Sequence, residues 1–392
     1  MEERGGETEA RASSIWVPVC CRTFHANLAQ VSFRLFTLWA PSSNTLPSPE
    51  DELLKNSHRK MTPSPATISR IPSVAPLSLH VLRDNDRCVL PGVCGNKARK
   101  LASLIEAAAL PRALVSHGGA QSNAMLALAR LCETRGATLT YHTKPMPAWL
   151  RATPNGNLAA ALATGGFQLV EHKSSQAYDA AVEALAAAAR PTGFEPLFVP
   201  QGAAWPGAEH GVAQLAEEIA EWRRRILPGT ALLDVVLPAG TGTTALFLAR
   251  HVPRGVRVHA VPCVGSCEYL ADQLDRLDRA SGALGVLPKT LVPPLSHSVP
   301  FGEPSATLLS TWREAARHTV LLDLIYGPVA WGAMFAHQWP AGSNLLYINC
   351  GGQEGLRSQL ARYKRSGLLE NGSEPGTLLS DACQVSGDIL PL

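Results

Sequence analysis

The sequence predicts an α/β protein with two domains, each an open, mostly parallel sheet flanked by helices. Two observations carry this prediction. Short apolar runs, typical of buried strands, alternate along the chain with longer segments of helical periodicity, and this alternation indicates parallel sheets covered on both faces. The length, 392 residues, is too great for one simple domain and suits two.

The predicted elements lie between about residue 70 and about residue 365. The spacing predicts strands at 113–116, 138–141, 167–170, 196–199, 234–237, 256–261 and 345–348, and helices at 125–132, 157–164, 177–189, 211–226 and from 244.

Composition divides the chain into further parts. An acidic opening followed by a stretch rich in Ser, Pro and Asn predicts a flexible N-terminal extension over 1–70. A second stretch rich in Gly, Ser and Pro predicts a flexible tail over 366–392. Between them we expect a large domain made of 71–100 and 201–365, with a small domain inserted at 101–200.

Charge and hydropathy limit the possible partners. A formal net charge of +3 without a basic, aromatic-interleaved stripe gives no indication of nucleic-acid binding. No run approaches 18 uninterrupted apolar residues, and the opening lacks the basic start of a secretory signal, so we expect no membrane association.

The nine cysteines are scattered, which suits a reducing compartment and argues against a disulfide framework or a structural zinc site. We expect a cytoplasmic protein; organelle targeting by the extension stays open.

The segment Gly95–Leu101 predicts the start of a helix. Asn96 is a residue type that caps helix N-termini well. The apolar positions that follow keep a one-sided helical spacing, at Leu101, Leu104, Ile105 and Ala108.

Lys97 falls in the first turn of this helix. The positive end of the helix dipole disfavours an ammonium ion there, and Arg99 and Lys100 act in the same direction. A lysine whose amine is kept neutral is a nucleophile that forms Schiff bases with carbonyl groups. The alternative is an ordinary solvated lysine, which is the commoner environment for this residue type.

Three glycine-containing loops follow predicted strands, where open α/β sheets bind ligands. The loop Ser116–Asn123 offers exposed N–H groups, a hydroxyl and amides that suit a carboxylate or a ring oxygen; alternatively it is a plain strand-to-helix turn. The loop Asn349–Gly355 contains two glycines, which suggests close approach of the backbone to a ligand or a simple turn.

The remaining loop, Gly240–Thr244, predicts a phosphate cradle. Its glycines let backbone N–H groups converge on an anion, and the helix that follows supplies its dipole. The loop also loosely matches a dinucleotide fingerprint, but the acidic residue expected about 20 positions later is missing near Ala260. A nicotinamide oxidoreductase is therefore the weaker alternative. The predicted phosphate ligands are Gly240, Thr241, Gly242, Thr243 and Thr244.

Pyridoxal 5'-phosphate requires a reactive lysine, a phosphate cradle and a loop that binds a carboxylate. The sequence offers a candidate for each. From about Arg83 to Arg362 the chain resembles the 1-aminocyclopropane-1-carboxylate deaminase and D-cysteine desulfhydrase family, which has the tryptophan synthase β-subunit fold (fold type II). Four motifs in the family's order carry the resemblance: Gly95–Leu101, Gly118–Asn123, Gly240–Thr244 and Cys350–Gly352.

The resemblance implies a role for each motif. Lys97 would be the Schiff-base lysine and Lys100 a nearby structural cation. Asn123 would hold the ring hydroxyl and contact the substrate. Ser122, a candidate catalytic residue, would lie near the ring and the substrate carboxylate, and Gln121 would contact the substrate. Tyr326 is a candidate for proton transfer or substrate positioning, or is a half-buried core tyrosine.

Several positions depart from the family pattern. Where the cyclopropane deaminases have a glutamate near the ring nitrogen, this chain has Gly327. Their second tyrosine aligns with Phe301, so ring opening of the cyclopropane is disfavoured. The desulfhydrases' threonine partner of the ring nitrogen is replaced by Cys350, whose thiol is a weak, neutral partner. Ala124 stands where the family has a larger polar residue, which alters the carboxylate site.

We therefore expect a pyridoxal-phosphate-dependent lyase or deaminase of amino-acid metabolism. The best candidate reaction is β-elimination from D-cysteine or a related small amino acid, giving pyruvate, ammonia and sulfide. The alternatives are a 1-aminocyclopropane-1-carboxylate deaminase and a pseudoenzyme that binds the cofactor without turnover. We expect a homodimer, Phe301 at the substrate and no metal ion.

Overall fold

The computed structural model of the protein describes residues 66–72, 76–188, 196–294 and 299–369. Most of the predicted N-terminal extension and of the predicted tail lies outside these residues.

Strands and helices alternate along the described residues. The strands are β1 Thr67–Arg70, β2 Ser78–Arg83, β3 Cys88–Leu90, β4 Val93–Cys94, β5 Ala113–His117, β6 Thr138–Thr143, β7 Phe167–Glu171, β8 Leu197–Val199, β9 Leu233–Ala239, β10 Val256–Pro262, β11 Thr290–Leu291 and β12 Asn344–Asn349. The α-helices are α1 Gly95–Lys100, α2 Ala102–Ile105, α3 Asn123–Arg135, α4 Ala148–Ala152, α5 Gly156–Leu162, α6 Ser175–Ala188, α7 Glu209–Ile226, α8 Thr243–His251, α9 Cys267–Ala280, α10 Ala306–Arg317, α11 Gly327–Ala336 and α12 Leu356–Arg365.

The strands form two open sheets and a hairpin. The larger sheet has the order β1-β2-β12-β9-β10-β11, with β1 antiparallel to β2 and every other pairing parallel. The smaller sheet has the order β7-β6-β5-β8 and is parallel throughout. The hairpin pairs β3 with β4 directly before α1. The predicted mostly parallel architecture is confirmed, whereas the predicted domain boundaries stay predictions.

Both faces of the larger sheet are buried, because apolar side chains alternate between two clusters. In β9, Val235 and Leu237 pack into one cluster and Val236 into the other. In β12, Leu346 packs into the first cluster and Tyr347 into the second. A strand covered on both faces is apolar at successive positions, as Val235–Leu237 of β9 and Leu345–Ile348 of β12 are, and these runs made both strands predictable from the sequence.

Three predictions at the start of the described chain are wrong. Residues 67–70 do not belong to a flexible extension, because they form β1 and pair with β2. The single helix predicted from Asn96 to Ala108 is two short helices that break at Leu101 and end at Ile105. Asn96 is not the N-cap, since Cys94 occupies that position.

Cysteine usage also differs from the prediction. Cys88 and Cys94 form a disulfide across the β3–β4 hairpin. A bridge between adjacent short strands ties down the segment that leads into α1, so the argument against disulfides from scattered spacing was wrong at this pair. At the predicted tail, residues 366–369 continue from α12 and bury Leu369 against the core.

Candidate functional site

The candidate site lies at the carboxyl ends of β9 and β12, two neighbouring parallel strands of the larger sheet. The chain leaves β9 toward β10 on one side and reaches β12 on the other, so this is the point where the strand order reverses and α/β sheets bind ligands. The loops after these strands are Gly240–Thr244 and Cys350–Gly352. Both of these sequence-predicted segments therefore meet at one edge.

Helix α1 is held against the loop after β12. The backbone N–H of Asn96 donates to the carbonyl oxygen of Cys350 at 2.9 Å. A side chain at Gly95 would place its Cβ 2.3 Å from that same oxygen, and Gly95 has φ of +56°. Only glycine permits this approach, which brings Lys97 into the site.

Lys97 lies in the first turn of α1, and its Nζ donates to Asn96 Oδ1 at 2.8 Å. Burial lowers the pKa of the Lys97 amine, and the nearby carboxylates of Glu354 and Asp323 partly oppose this shift. The predicted direction agrees, but the predicted cause does not. Burial, rather than the charges of Arg99 and Lys100, dominates the lowered pKa.

The positive charge of Arg99 is paired with two carboxylates, Asp84 and Glu218. Its Nε donates to Asp84 Oδ1 at 3.0 Å, and its two terminal nitrogens donate to Glu218 at 2.7 and 2.8 Å. The side chain is fully buried. This ion pair fastens the helix that carries Lys97 to α7 and to the turn before β3.

The loop Gly240–Thr244 has the properties of an anion cradle. It runs into α8, whose first turn contains no acidic residue and whose N–H groups face the loop. Thr244 is buried, and its hydroxyl has no hydrogen-bond partner among the described residues. The Thr241 and Thr243 hydroxyls lie 2.8 Å apart. A buried, unpaired hydroxyl beside a helix start fits a phosphate group.

Lys100 reaches the same loop from α1. Its Nζ lies 3.5 Å from Thr241 Oγ1 and donates to the carbonyl oxygen of Gly202 at 3.2 Å. Burial, together with the charge of Lys97, lowers the pKa of the Lys100 amine well below its ordinary value. An anion bound at the loop would stabilise the ammonium form, so Lys100 is positioned as a counter-charge.

The loop before α3 supplies polar groups from the smaller sheet. Ser122 Oγ accepts from the backbone N–H groups of Ala124 and Met125, so Ser122 is the N-cap of α3. Gln121 Nε2 donates to the carbonyl oxygen of Asn155 at 2.9 Å. Both side chains therefore have structural partners, and their predicted contacts with a substrate stay predictions.

Asn123 faces the loop after β12. Its Nδ2 lies 2.9 Å from where a Cβ on Gly352 would be. Its Oδ1 accepts from Asn157 Nδ2 at 2.6 Å. The amide thus connects the smaller sheet's loop with the Cys350–Gly352 loop.

Tyr326 borders the cradle. A Cβ on Gly240 would lie 3.2 Å from the Tyr326 ring, and the ring contacts Phe301 edge-on with centroids 5.4 Å apart. The Asp323 carboxylate accepts hydrogen bonds from the backbone N–H groups of residues 325, 326 and 327. These bonds fix the turn that carries the tyrosine. Burial raises the pKa of the Tyr326 phenol, so it stays protonated at neutral pH.

Cys350 is buried beside Lys97, and burial raises the pKa of its thiol to about 12. The thiol is therefore neutral at physiological pH, and its predicted contact with the ring nitrogen stays a prediction. His117 lies apart from these groups: its Nδ1 is 2.8 Å from the Tyr178 hydroxyl, and its Nε2 accepts from the Gln201 backbone N–H.

Three groups near the site were not assigned a role from the sequence. Asp323 and Glu354 act on Lys97 through their charges, and Asn157 contacts Asn123. Each lies far from its partner along the chain. An isolated polar residue at the start of an apolar helix was the one signal for Asn157.

Solved structures share this architecture. An ACC deaminase homologue is 19% identical, with a TM-score of 0.60, over 78% of this chain and 94% of that chain. O-ureido-L-serine synthase is 17% identical (TM-score 0.53; 80% and 96%), and a threonine deaminase from T.th. is also 17% identical (TM-score 0.53; 78% and 98%). The chain therefore shares the fold of these enzymes, in which mostly parallel sheets are flanked by helices, and this confirms the predicted fold class.

No family model and no curated protein matches the sequence. No helix among the described residues is long and apolar enough to cross a membrane. The described residues also contain no group of three or more His, Cys, Asp or Glu side chains arranged to hold a metal ion. A cytoplasmic location stays a prediction.

Proposed function

We propose that the protein is a pyridoxal 5'-phosphate-dependent lyase or deaminase that acts on a small amino acid. The observation that carries the proposal is that two features lie together at one edge of the larger sheet. One is a lysine whose pKa burial lowers, and the other is a cradle with a buried, unpartnered Thr244 hydroxyl. The proposal depends on this site.

The residues present fit the cofactor. Gly240–Thr244 and the start of α8 would hold the phosphate, with Lys100 as counter-charge. Lys97 would hold the aldehyde carbon covalently, Asn123 would donate to the ring hydroxyl oxygen, and Cys350 would face the ring nitrogen. When bound, pyridoxal phosphate withdraws electrons from the bonds at the substrate's α-carbon.

The protein's own groups then move protons. With an amino-acid substrate bound, the Lys97 amine would be free to accept a proton. Because burial lowers its pKa, this amine spends more time neutral than an ordinary lysine and acts as base toward the α-proton. Tyr326, protonated at neutral pH, is the proposed donor to a leaving group or positions the substrate.

Within this class, β-elimination from D-cysteine or a related amino acid is the proposed reaction. The neutral Cys350 thiol provides no negative charge to keep the ring nitrogen protonated, which suits elimination better than chemistry needing a full electron sink. Ring opening of 1-aminocyclopropane-1-carboxylate is the weaker alternative. Phe301, which contacts Tyr326, has no hydroxyl to replace the second tyrosine of the deaminases.

Absorbance spectroscopy tests the cofactor. We expect the purified protein to show the visible band of lysine-bound pyridoxal phosphate and the Lys97→Ala variant to lose it. Lys289→Ala is the matched control, because its side chain is exposed. A protein without the band, or a band that persists in Lys97→Ala, contradicts the cofactor assignment.

Product release tests the reaction. We expect D-cysteine to give sulfide, pyruvate and ammonia in equal amounts, and Lys97→Ala to give none. If 1-aminocyclopropane-1-carboxylate releases ammonia instead, the deaminase alternative holds. A visible band without product from any member of a D- and L-amino-acid panel supports the pseudoenzyme. Light scattering separately tests the proposed homodimer.

A further inference from the structure

We infer that Asn157 is a positioning residue, which orients the Asn123 amide so that its N–H group faces the cofactor's ring oxygen. Asn157 is at the start of α5 and is 2% exposed. It lies 34 positions from Asn123 in the sequence and belongs to none of the four motifs. The inference rests on the proposed function, because it concerns the group that Asn123 would contact.

A backbone carbonyl fixes the direction of the Asn157 amide. One terminal atom of this amide lies 3.1 Å from the carbonyl oxygen of Gln121. A carbonyl oxygen only accepts hydrogen bonds, so the atom that faces it must be Nδ2. The opposite orientation would place two acceptors against each other in a buried environment.

The orientation of Asn157 then determines that of Asn123. The same Nδ2 lies 2.6 Å from Asn123, and because it only donates, the Asn123 atom that faces it must be Oδ1. Asn123 Nδ2 must therefore point the other way, toward Gly352 and the site. A free asparagine could present either atom; here only the donor is presented.

The surroundings of Asn157 fit a role in orientation rather than in simple packing. Its Oδ1 is buried without a partner among the described residues, which costs free energy that an apolar side chain would avoid. The Gln121 side-chain amide makes two hydrogen bonds to the start of α5. Its Nε2 donates to the Asn155 carbonyl oxygen, and its Oε1 accepts from the Leu158 backbone N–H. Asn157 is thereby fixed relative to the loop that it orients.

The test measures cofactor affinity with two probes, pyridoxal 5'-phosphate and its 3-deoxy analogue, which lacks the ring hydroxyl. In Asn157→Asp the donor becomes an acceptor, so Asn123 must turn its own N–H group toward position 157. We expect the Kd of the apo-protein for pyridoxal phosphate to rise on the order of tenfold, as loss of one hydrogen bond predicts. The Kd for the 3-deoxy analogue should stay the same.

Asn157→Ala makes the same test without a buried carboxylate and should give a smaller rise with the same dependence on the probe. Asn155→Asp is the matched control, since its side chain contacts Thr153 rather than Asn123. Thermal unfolding of each variant shows whether it folds. In an Asn123→Ala background, Asn157→Asp should produce no further rise, because the residue it orients is gone.

Three results would overturn the inference while leaving the proposed function intact: unchanged affinity in both Asn157 variants, equal losses with both probes, or an additive loss in the Asn123→Ala background. Failure of the unmodified protein to bind pyridoxal phosphate overturns the proposed function, and the inference with it. The two kinds of failure are therefore distinguishable.

Discussion

At the scale of single residues, the space beside Gly327, the residue after Tyr326, limits which side chains this position accepts. A Cβ on Gly327 would lie 2.6 Å from the Leu322 Cβ and 3.3 Å from Asp323 Oδ2. The Leu322 atom is attached directly to the backbone and has no freedom to move away. The glutamate that the cyclopropane deaminases have at this position therefore does not fit this chain without a shift of the turn.

We predict that Gly327→Ala lowers the free energy of unfolding by about 1–3 kcal/mol, the usual cost of overpacking a core. Urea denaturation followed by circular dichroism measures the change. Gly165→Ala is the control, because a Cβ there has no neighbour within 4 Å. Equal stability of the two variants would show that the turn around Gly327 adapts and that the steric argument is wrong.

At the scale of elements, α1 depends on a buried ion pair rather than on its own helical propensity. The helix has six residues, too few for stability alone. Arg99 instead joins it to Asp84 and Glu218, and the side chains of Arg99 and Asp84 have no exposed surface. The position of Lys97 thus follows from a contact that spans more than 100 residues of sequence.

Replacing Arg99 by Met should therefore be strongly destabilising. The change leaves the Asp84 and Glu218 carboxylates without their guanidinium partner, and breaking a buried pair typically costs about 3–5 kcal/mol. Arg151→Met breaks an ion pair with Glu171 in which the arginine is exposed, so it should change stability little. Urea denaturation compares the two. Similar losses in both variants would indicate that the Arg99 pair does not anchor α1.

The elements also show which parts of the structure were predictable. The middle of β9, Val235–Leu237, is an apolar run, and α7 has one apolar face, so local pattern was sufficient for both. The break at Leu101 and the Cys94 cap were not predictable, because the contact of Gly95 with the Cys350 carbonyl determines where α1 starts. Motifs pointed to Lys97 and the Gly240–Thr244 loop, whereas the contact of Asn157 with Asn123 is evident only from the tertiary structure.

At the scale of the whole molecule, stability should fall in acid, and His117 is one identifiable cause. The Gln201 backbone N–H donates to His117 Nε2, so that nitrogen must be unprotonated. Burial, and secondarily the charge of His142, lowers the pKa of His117 to about 4 from its ordinary 6.5. Protonation would place an N–H group against the Gln201 N–H.

The sign of the effect follows from proton binding. Between pH 6.5 and about 4 the unfolded chain binds a proton at His117 that the folded chain does not. The free energy of unfolding therefore rises with pH through this window. The contribution is complete above pH 6.5 and is lost as the pH falls toward 4.

We predict that His117→Gln reduces the slope of unfolding free energy against pH in this window, by at most about 1.4 kcal/mol per pH unit for one proton. Part of the slope should remain, because burial also lowers the pKa values of His80 and His142. Urea titrations of both proteins at several pH values measure the slope. An unchanged slope in His117→Gln would mean that His117 takes up its proton without opposing the fold, and the acid sensitivity would then have to come from other groups.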